Sequence, residues 1–497
     1  MMQLTGEILF FMAQAFIACI GLLFLFAVAL YFIDRLQTRH TLRRNFPLLA
    51  RFRYLFEDLG EFFRQYFFAM DREELPFNRA ERSWVYRAAK AVDTTVAFGS
   101  SRDLRPVGTV LFANCAYPML ESEALKTSAI TIGPGARTPY AVASVFHISG
   151  MSYGAISKPA TLALSRGARE AGIWMNTGEG GLSEAHLKGG ADIVFQIGTA
   201  KFGVCGSSGR LDEARLRQVA SHEQVRMFEI KLSQGAKPGK GGILPAEKVT
   251  PEISVIRGIP AGESSISPNR HPDIDSADDL LDMIARIREL TGKPVGFKAV
   301  IGEGEWLEQL CHKILARGVD AAPDFITIDS ADGGTGAAPA SLIDYMGLPL
   351  HESLPLVVDL LTKHGLRQRI RIIASGKLTN PGKVAWALSM GCDFAVSARG
   401  FMFALGCIQA LQCNKNTCPT GITTHDERLQ RGLVVGEKSK RVANYAAALQ
   451  REVETIAHSC GVPEPRLLRR EHCRVVRADG RSVSLAELYP AGDAGSA

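Results

Sequence analysis

The longest apolar run in the chain lies near its N-terminus. Between Ile8 and Ile33 the side chains are apolar or small, with Gln14 as the exception. As an α-helix this run spans roughly 39 Å, more than the ~30 Å hydrocarbon core of a bilayer. The seven residues before it contain no Lys or Arg, which a signal peptide would have, and a buried core helix is rarely apolar for so long. The pattern predicts a transmembrane anchor over residues 1–34.

A basic cluster follows this apolar run. It comprises Arg35, Arg39, Arg43, Arg44, Arg51 and Arg53. Positively charged flanks of transmembrane helices face the cytoplasm, so we expect a single-pass protein of the inner (cytoplasmic) membrane with its catalytic domain in the cytoplasm. The same arginines could contact anionic lipid headgroups.

Residues 46–101 continue this basic segment (35–101) with a helical pattern that contains aromatic pairs. Phe62-Phe63 and Phe67-Phe68 are examples. The pattern fits a cap packed on the following domain and equally a segment lying against the bilayer.

Short β-rich runs alternate with helical patterns from about Tyr140 onwards, which is typical of an α/β fold with a parallel sheet. The predicted strands are Val142–Ile148, Trp174–Thr177, Ile193–Ile197, Phe228–Lys231, Val295–Val300, Phe325–Asp329, Ile370–Ser375 and Phe394–Ala398. Predicted helices such as Ala160–Ala171 and Asp278–Leu290 separate several of them. Eight strands predict a (β/α)8 TIM barrel over residues 102–426, with a long insertion between the fourth and fifth.

The remainder, residues 427–497, has one predicted helix, Ser439–Ser459, and then a basic tail. We interpret the tail arginines as a solvated face and expect residues 490–497 to be disordered. These arginines are Arg466, Arg469, Arg470, Arg474 and Arg477.

Polar residues or glycines end every predicted strand. They are Met151 and Ser152; Asn176, Thr177 and Glu179; Gln196; Lys231; Lys298; Asp329 and Asp332; Ser375 and Gly376; and Ala398 to Gly400. In (β/α)8 barrels the active site forms at the carboxyl ends of the strands. This pattern favours an active site there over simple packing.

Composition excludes some partners. The net charge is +6 over 497 residues, and the predicted barrel has no dense Lys/Arg run with interleaved aromatics, so we expect no nucleic-acid partner. Most of the ten cysteines are scattered and do not resemble a secreted disulfide framework, which favours a reducing compartment.

Three cysteines form a C-x5-C-x4-C-P pattern, namely Cys407, Cys413 and Cys418, the last followed by Pro419. Thiolates suit iron–sulfur clusters, zinc or copper(I), and closely spaced cysteines with a Cys-Pro end often hold iron–sulfur clusters. Three ligands suggest a three-iron cluster or a fourth ligand from elsewhere. Three buried thiols are the alternative that spacing alone leaves open.

Five motifs occur in one order along the chain. They are Ile-Ser-Gly-Met-Ser-Tyr-Gly-Ala-Ile-Ser (148–157), Asn-Thr-Gly-Glu-Gly-Gly (176–181), Lys-Leu-Ser-Gln-Gly-Ala-Lys-Pro-Gly (231–239), Asp-Ser-Ala-Asp-Gly-Gly-Thr-Gly (329–336) and the cysteine pattern. In this order, the chain resembles the synthase domain of glutamate synthase from roughly Phe77 to Asp426. The resemblance implies an FMN-binding barrel, a 3Fe-4S cluster on the three cysteines, and reduction of 2-iminoglutarate, formed from 2-oxoglutarate and ammonia, to glutamate.

The resemblance also implies residue roles. Lys231 and Lys237 match two family lysines that face the flavin and the 2-oxoglutarate, Arg257 matches by spacing an arginine that binds the oxo-acid, and Glu179 matches a glutamate at the end of the ammonia route. We expect Lys231, Lys237 and Glu179 to be catalytic.

The remaining strand-end residues are expected to bind FMN. Ser375, Gly376, Arg399 and Gly400 are assigned to its phosphate, since barrels commonly bind phosphate after strands seven and eight. Lys298 is placed to stabilise the reduced ring. The other expected FMN residues are Met151, Ser152, Gly154, Asn176, Thr177, Gln196, Asp332, Gly333, Gly334, Thr335 and Gly336.

Two features depart from the family. Ile243 stands where the family usually has Gln near the oxo-acid, and Lys240 where an acidic residue is common, which leaves the exact oxo-acid open. We find no segment before the barrel that fits a glutaminase domain. We also find no nicotinamide domain, because Gly133 and Gly135 lack the third glycine of a dinucleotide fingerprint. Nitrogen would then come from ammonia, an amine or a separate glutaminase subunit, and electrons from a ferredoxin-like or flavoprotein donor.

Two alternatives stay open. The same barrel could join methylamine to glutamate, as in the related N-methylglutamate synthases. The chain could also be a non-catalytic membrane electron-transfer subunit, although such a protein has no need of the oxo-acid ligands.

Overall fold

In the computed structural model, which describes residues 2–93, 95–206 and 208–490, the N-terminal apolar run is a single helix. α1 spans Met2–Leu36. By length and composition alone, residues Thr5–Leu36, with mean hydropathy 2.8, could cross a membrane. The chain divides after Ala80 into two compact units.

The rest of the first unit contains α2 (Thr41–Asn45), α3 (Leu49–Phe63) and a π-helical turn, Arg64–Phe68. Arg51 donates from Nε and Nη2 to the Asp34 carboxylate, at 2.8 and 2.7 Å. This arginine of the predicted basic flank therefore holds α3 against the end of α1.

The predicted continuous helical pattern over 46–101 is wrong in two places. Residues 69–78 have no helix or strand, and neither do the described residues between Lys90 and Ser101. Between these stretches lies α4 (Arg79–Ala89). Pro76 and the positive φ angles of Ala91 and Phe98 mark backbone that no helix can accommodate.

Eight parallel strands close into a barrel. They are β4 (Phe146–Ile148), β5 (Met175–Asn176), β6 (Ile193–Ile197), β7 (Val225–Lys231), β10 (Val295–Ala299), β11 (Phe325–Asp329), β12 (Arg371–Ser375) and β13 (Phe394–Ser397). Their order around the barrel is β10-β11-β12-β13-β4-β5-β6-β7. The predicted (β/α)8 fold is confirmed, and apolar, β-branched runs supply its buried strands.

The first predicted strand, Val142–Ile148, is in fact two elements. β3 (Tyr140–Val142) pairs antiparallel with β2 (Ile130–Ile132), and only β4 joins the barrel. The Ser144 hydroxyl accepts a hydrogen bond from Phe146 N at 3.2 Å, which turns the chain between them. The β2–β3 hairpin packs on the barrel core. That cluster comprises Ile132, Tyr140, Val142, Trp174, Val194, Met227, Phe325, Ile373, Phe394 and Val396.

Helices surround the strands. They are α5 (Lys158–Ala171), α6 (Glu184–Gly189), α7 (Glu213–Ala220), α9 (Ala277–Thr291), α10 (Glu305–Arg317), α11 (Ala340–Ile343), α12 (Leu350–Lys363), α13 (Pro381–Ser389) and α14 (Arg399–Leu405). The insertion predicted between the fourth and fifth strands follows β7. It carries β8 (Ile243–Leu244), α8 (Pro251–Arg257) and β9 (Ser265–Ile266), with β8 and β9 paired antiparallel.

The segment after residue 426 is part of the barrel unit, so the predicted boundary there does not separate compact units. α15 (Glu427–Gln430) precedes α16 (Val435–Ser459), which packs on α5 so closely that a Cβ at Gly167 would lie 2.5 Å from Val442. β14 (Cys473–Val476) and β15 (Ser482–Ser484) form a sheet with β1 (Val110–Phe112), before α17 (Leu485–Leu488).

The interpretation of the tail arginines as a solvated face is wrong for Arg466 and Arg470. Arg466 donates to the carbonyls of Ser128 and Ala143, and Arg470 forms an ion pair with Asp359. Both stitch the tail to the barrel. The predicted disorder of residues 490–497 falls almost wholly outside the described residues.

Candidate active site

A cleft opens at the carboxyl ends of the barrel strands. Its volume is about 940 Å³ with the solvent in its open mouth included. Many of the residues predicted to form the active site line this cleft. The predicted residues that line it are Met151, Ser152, Glu179, Lys237, Arg257, Gly334, Thr335, Gly336, Ala398, Arg399 and Cys413, and Ile243 lines it as well.

One buried carboxylate and three buried cations meet at this cleft. Glu179 Oε1 lies 2.9 Å from Lys231 Nζ, and both side chains are almost fully buried. Lys237 and Arg257 also act on the Glu179 carboxylate electrostatically. This group, which we call the cationic cluster, carries a net charge of +2 when all four side chains are ionised.

The local fold forces Glu179 into this position. It lies in a short 3-10 turn, Gly178–Gly180, directly after β5. A Cβ at Gly198 or Gly242 would come within 2.5 or 2.3 Å of the Glu179 side chain. Only glycine at these two positions leaves room for the carboxylate between the strand ends.

The insertion after β7 brings in Arg257, the last residue of α8. Thr250 caps this helix by accepting from Ile253 N, Pro251 starts it, and Gly258 ends it with φ of 69°. The Arg257 guanidinium donates from Nη2 to Tyr153 O at 3.0 Å and from Nη1 to Ser265 Oγ at 3.5 Å, while its Nε is buried without a hydrogen-bond partner. A guanidinium with an unused donor at a cleft is suited to a carboxylate.

Burial and mutual repulsion shift the pKa values of the cluster. Burial, together with the Lys231 ammonium, lowers the pKa of Lys237 to about 8. Burial lowers the pKa of Arg257 to about 10. For Glu179, burial alone would raise the pKa, but Lys231, Lys237 and Arg257 outweigh it and hold the pKa below its ordinary value. Glu179 is therefore a carboxylate at neutral pH.

The barrel interior beneath the cluster centres on Glu229, which our sequence reasoning missed. Its Oε1 accepts from Asn176 Nδ2 at 2.8 Å and Gln196 Nε2 at 2.6 Å, and its Oε2 accepts from Thr327 Oγ1 at 2.6 Å. A small cavity inside the barrel is lined by both Glu229 and Lys298. The signal that could have found it is a Glu two residues before Lys231 in an otherwise apolar strand.

Other predicted FMN residues lie close by without lining the cleft. Lys298 Nζ is 3.7 Å from Asp329 Oδ2, and the Thr177 hydroxyl accepts from Gln196 N at 3.1 Å. Gly154, with φ of +97°, lies under Arg257, whose Nη2 would be 3.4 Å from a Cβ.

The predicted phosphate and loop residues after β11 and β12 form a network among themselves. Ser375 Oγ donates to Asp329 Oδ1 at 2.8 Å, and Asp332 pairs with Lys377, a residue that sequence reasoning missed, at 2.9 Å. Gly376 has φ of +134°, and a Cβ there would overlap Ser330. Gly333 packs on Gly235, 3.5 Å from where its Cβ would be.

The other two residues predicted to bind the phosphate, Arg399 and Gly400, make contacts of different kinds. The Arg399 side chain donates to Thr335 O and lies with Nη1 3.7 Å from Cys413 Sγ. Gly400 allows α14 to pack on Tyr445, whose Oη would be 2.3 Å from a Cβ, and its N–H already donates to Ser397 Oγ. Arg399 thus connects the loop of residues 334–336, which we call the glycine loop, to the cysteine pattern.

The three predicted ligand cysteines share one loop, residues 406–418, which we call the cysteine loop. All three are free thiols, and the thiols of Cys413 and Cys418 both act electrostatically on Cys407. Gln409, Leu411 and Asn416 have positive φ angles, which non-glycine residues rarely adopt and which cluster at functional sites.

Lys248, another residue that sequence reasoning missed, anchors the cysteine loop. Its Nζ donates to Cys413 O and Thr423 O, both at 2.6 Å, and lies 3.4 Å from Ala155 O. The side chain is buried, and within the described part of the chain no carboxylate lies within ion-pair distance. One ammonium group therefore ties the cysteine loop to the first loop of the barrel.

Replacing Lys248 with methionine should loosen the cysteine loop. A hydrogen bond to a charged group is worth about 1.5–3 kcal/mol, so loss of these bonds should accelerate local opening roughly 10- to 100-fold. Hydrogen exchange of the peptide that contains residues 406–418, followed by mass spectrometry, measures this. Lys240→Met is the matched control, because Lys240 is exposed. Equal exchange in both variants would contradict the anchoring role.

The chain is similar over most of its length to known proteins of one family. A family model described as the conserved region in glutamate synthase matches residues 115–463. The glutamate synthase large subunit-like protein YerD of Bacillus subtilis is 39% identical over 498 residues, covering 92% of this chain and 94% of that protein.

Two further relatives are archaeal-type enzymes. The archaeal-type glutamate synthase (NADPH) of Thermotoga maritima is 35% identical over 350 residues, covering 70% of this chain and 65% of that enzyme. The archaeal glutamate synthase (NADPH) of Methanocaldococcus jannaschii is 35% identical over 353 residues, with the same coverages. The chain thus spans slightly less than two thirds of these enzymes. The family model covers the whole barrel, and the match to YerD extends over almost the whole of both chains. The chain therefore belongs to the glutamate synthase family of oxidoreductases.

Proposed function

We propose that this protein reduces 2-iminoglutarate, formed from 2-oxoglutarate and ammonia, to glutamate. The observation that carries the proposal is the cationic cluster. Its net charge of +2 matches the two carboxylates of 2-oxoglutarate, and Lys237 and Arg257 of the cluster line the cleft. Burying unpaired cations costs free energy, and a dianionic substrate bound between them would offset that cost.

Each side chain of the cluster has a role in this reaction. Arg257 binds one carboxylate of the oxo-acid through a donor that the protein leaves unused, and Lys237 binds or protonates the substrate at Nζ. Glu179 stays ionised, holds the Lys231 ammonium at 2.9 Å, and offers its other carboxylate oxygen to ammonium that enters the cleft. Formation of the imine releases one water from the oxo-acid and ammonia.

The cleft fits FMN as its cofactor. Gly334 and Gly336 in its lining let backbone amides approach a ligand, and Met151 and Ser152 line the same cleft. Bound FMN would supply the hydride that reduces the imine carbon. The remaining predicted FMN residues, including Asn176, Gln196 and Lys298, contact Glu229 or Asp329 and would help to hold the cofactor.

The cysteine loop fits an iron–sulfur cluster, which we propose to be 3Fe-4S on Cys407, Cys413 and Cys418. Such a cluster passes single electrons, here from a ferredoxin-like or flavoprotein donor. Lys248 and Arg399 supply positive charge beside the thiols, which balances an anionic cluster. Arg399 also reaches the glycine loop, so one side chain contacts both proposed cofactor sites.

A second candidate reaction rests on Ile243. Its side chain lines the cleft and is 40% exposed there. An apolar side chain at this position would accept a methyl group, so methylamine could replace ammonia and the product would be N-methylglutamate.

We also propose that α1 anchors the protein in the inner membrane with the barrel in the cytoplasm. The supporting observation is the apolar span Thr5–Leu36 followed by the arginine-rich flank. Carbonate extraction of membranes tests it: an integral protein stays with the membrane, whereas a peripheral one is released.

The activity test uses the full-length protein in detergent, with flavin and iron counted first. Reduced ferredoxin or chemically reduced methyl viologen supplies electrons, and 2-oxoglutarate is given with ammonium, methylamine or neither. Glutamate formed with ammonium supports the first reaction, and N-methylglutamate formed faster with methylamine supports the second. Bound flavin and iron with no product from either amine would contradict both and favour an electron-transfer subunit.

The pKa of Lys237, about 8, predicts a pH dependence. Below this pH Lys237 carries the charge that binds the dicarboxylate, and as the pH rises through about 8 the charge is lost. We expect the KM for 2-oxoglutarate to rise roughly 10- to 100-fold between pH 7 and 9.5, since one charged hydrogen bond is at stake. Lys237→Arg keeps its charge, so its KM should stay flat over this range. The same rise in both proteins would show that another group titrates.

A further inference from the structure

Three metal-ligating side chains meet on the helical layer of the barrel, away from the cleft. Glu308 and His312 lie one turn apart on α10, and His364 caps the C-terminal end of α12. One donor atom from each lies within 4.8 Å of the other two. Residues at i and i+4 on a helix face the same side, so α10 presents both of its donors together.

The His364 ring gives an independent reason to consider a ligand here. Its side chain is only 9% exposed, and its Nε2 makes no hydrogen bond, although it lies 3.6 Å from Glu308 Oε1. Buried ring nitrogens are normally hydrogen-bonded to protein or water. At this distance the nitrogen and the Glu308 carboxylate make an ion-pair contact rather than a hydrogen bond, and a shared ion would sit between the two atoms.

The chemistry of the three donors defines which ion fits. Two imidazoles and one carboxylate are a common protein ligand set for zinc, with the fourth position left to water. Copper and nickel also accept imidazole, whereas magnesium and calcium prefer oxygen alone. Ligands around a tetrahedral zinc lie about 3.4 Å apart, so modest side-chain rotations would close the observed spacing. His312 is exposed and has room for such a rotation.

A competing cation already sits at this place. Lys363 Nζ lies 2.7 Å from Glu308 Oε1, but the lysine side chain is 65% exposed. An exposed ion pair contributes little stability, so a divalent ion can displace the ammonium group into solvent.

We propose that Glu308, His312 and His364 bind one divalent transition-metal ion, of which zinc is the natural choice, and that the ion links α10 to the end of α12. The bound ion would stabilise the folded barrel by mass action, because an unfolded chain does not hold the three donors together. This site lies outside the reaction and does not depend on the proposed activity.

Isothermal titration of the full-length, cofactor-loaded protein in detergent with ZnCl2 tests the site. We expect one zinc ion per chain whose binding His312→Ala weakens at least 100-fold, since even an indirect support of a metal ligand costs about 10- to 100-fold in affinity. His222→Ala, which alters a histidine outside the set, is the control and should titrate like the unmodified protein. Any zinc taken up equally by all three proteins belongs to other sites.

Lys363→Gln provides a second measurement that does not depend on losing a ligand. Removing the competing ammonium should tighten zinc binding several-fold and increase the thermal shift that zinc produces. Unchanged zinc binding in His312→Ala, or weaker binding in Lys363→Gln, would overturn the proposal.

Discussion

Replacing Glu229 with alanine is expected to lower the free energy of unfolding of the barrel by about 3–5 kcal/mol. Its carboxylate is 98% buried and accepts hydrogen bonds from Asn176, Gln196 and Thr327, which lie on three other strands. Alanine would leave these donors buried without an acceptor and would open a cavity in the barrel interior. Each unsatisfied donor costs about 1–3 kcal/mol, partly recovered if water enters.

Glu229→Gln is the matched control, because an amide can keep the same network. Its Oε1 can accept from Asn176 and Gln196, and its Nε2 can donate to the Thr327 hydroxyl. We expect a loss of about 1 kcal/mol, within the net value of a single hydrogen bond. Urea unfolding of the full-length protein in detergent, followed by tryptophan fluorescence, measures both variants. A similar, small loss in both would show that the carboxylate is not the centre of the network.

Glu229 also shows what could and could not be predicted from the sequence. The barrel strands were predictable because each is a short apolar run followed by polar residues, and Ile193–Ile197 and Phe325–Asp329 have the predicted bounds. A single acid inside such a run gives no local sign that it accepts from three other strands. Its partners come from different parts of the chain, and only the closed barrel brings them together.

The cysteine loop also shows that long-range contacts of polar groups could not be predicted from the sequence. The C-x5-C-x4-C-P spacing pointed to the loop, but nothing local pointed to Lys248, which lies over 150 residues earlier in the insertion after β7. The tail arginines were misread for a related reason. Arg466 looks like one of many exposed charges in sequence, whereas in the fold its partners include the carbonyls of Ser128 and Ala143, more than 300 positions away. Long-range contacts of polar groups follow topology, which periodicity does not encode.

Glu179→Gln should lower kcat by roughly 10²- to 10⁴-fold while leaving the affinity for 2-oxoglutarate equal or higher. The amide cannot hold the Lys231 ammonium as an ion pair and cannot attract ammonium, so turnover falls and the KM for ammonium rises. The net charge of the cationic cluster would rise from +2 to +3, which favours a dianion. Glu179 also raises the pKa of Lys237, so its loss should move the rise in KM to lower pH.

These four changes separate a working carboxylate from one that only packs. Glu184→Gln is the matched control, since Glu184 is exposed and pairs with Lys188 in the next turn of α6. It should behave like the unmodified protein in kcat, in both KM values and in the pH profile. If Glu179→Gln kept its turnover, or if its KM for 2-oxoglutarate rose together with a fall in kcat, the carboxylate would be acting on the structure of the cleft. A fall in kcat with a higher KM for ammonium and no rise in the KM for 2-oxoglutarate would report the charge of Glu179, because the amide preserves the size of the side chain.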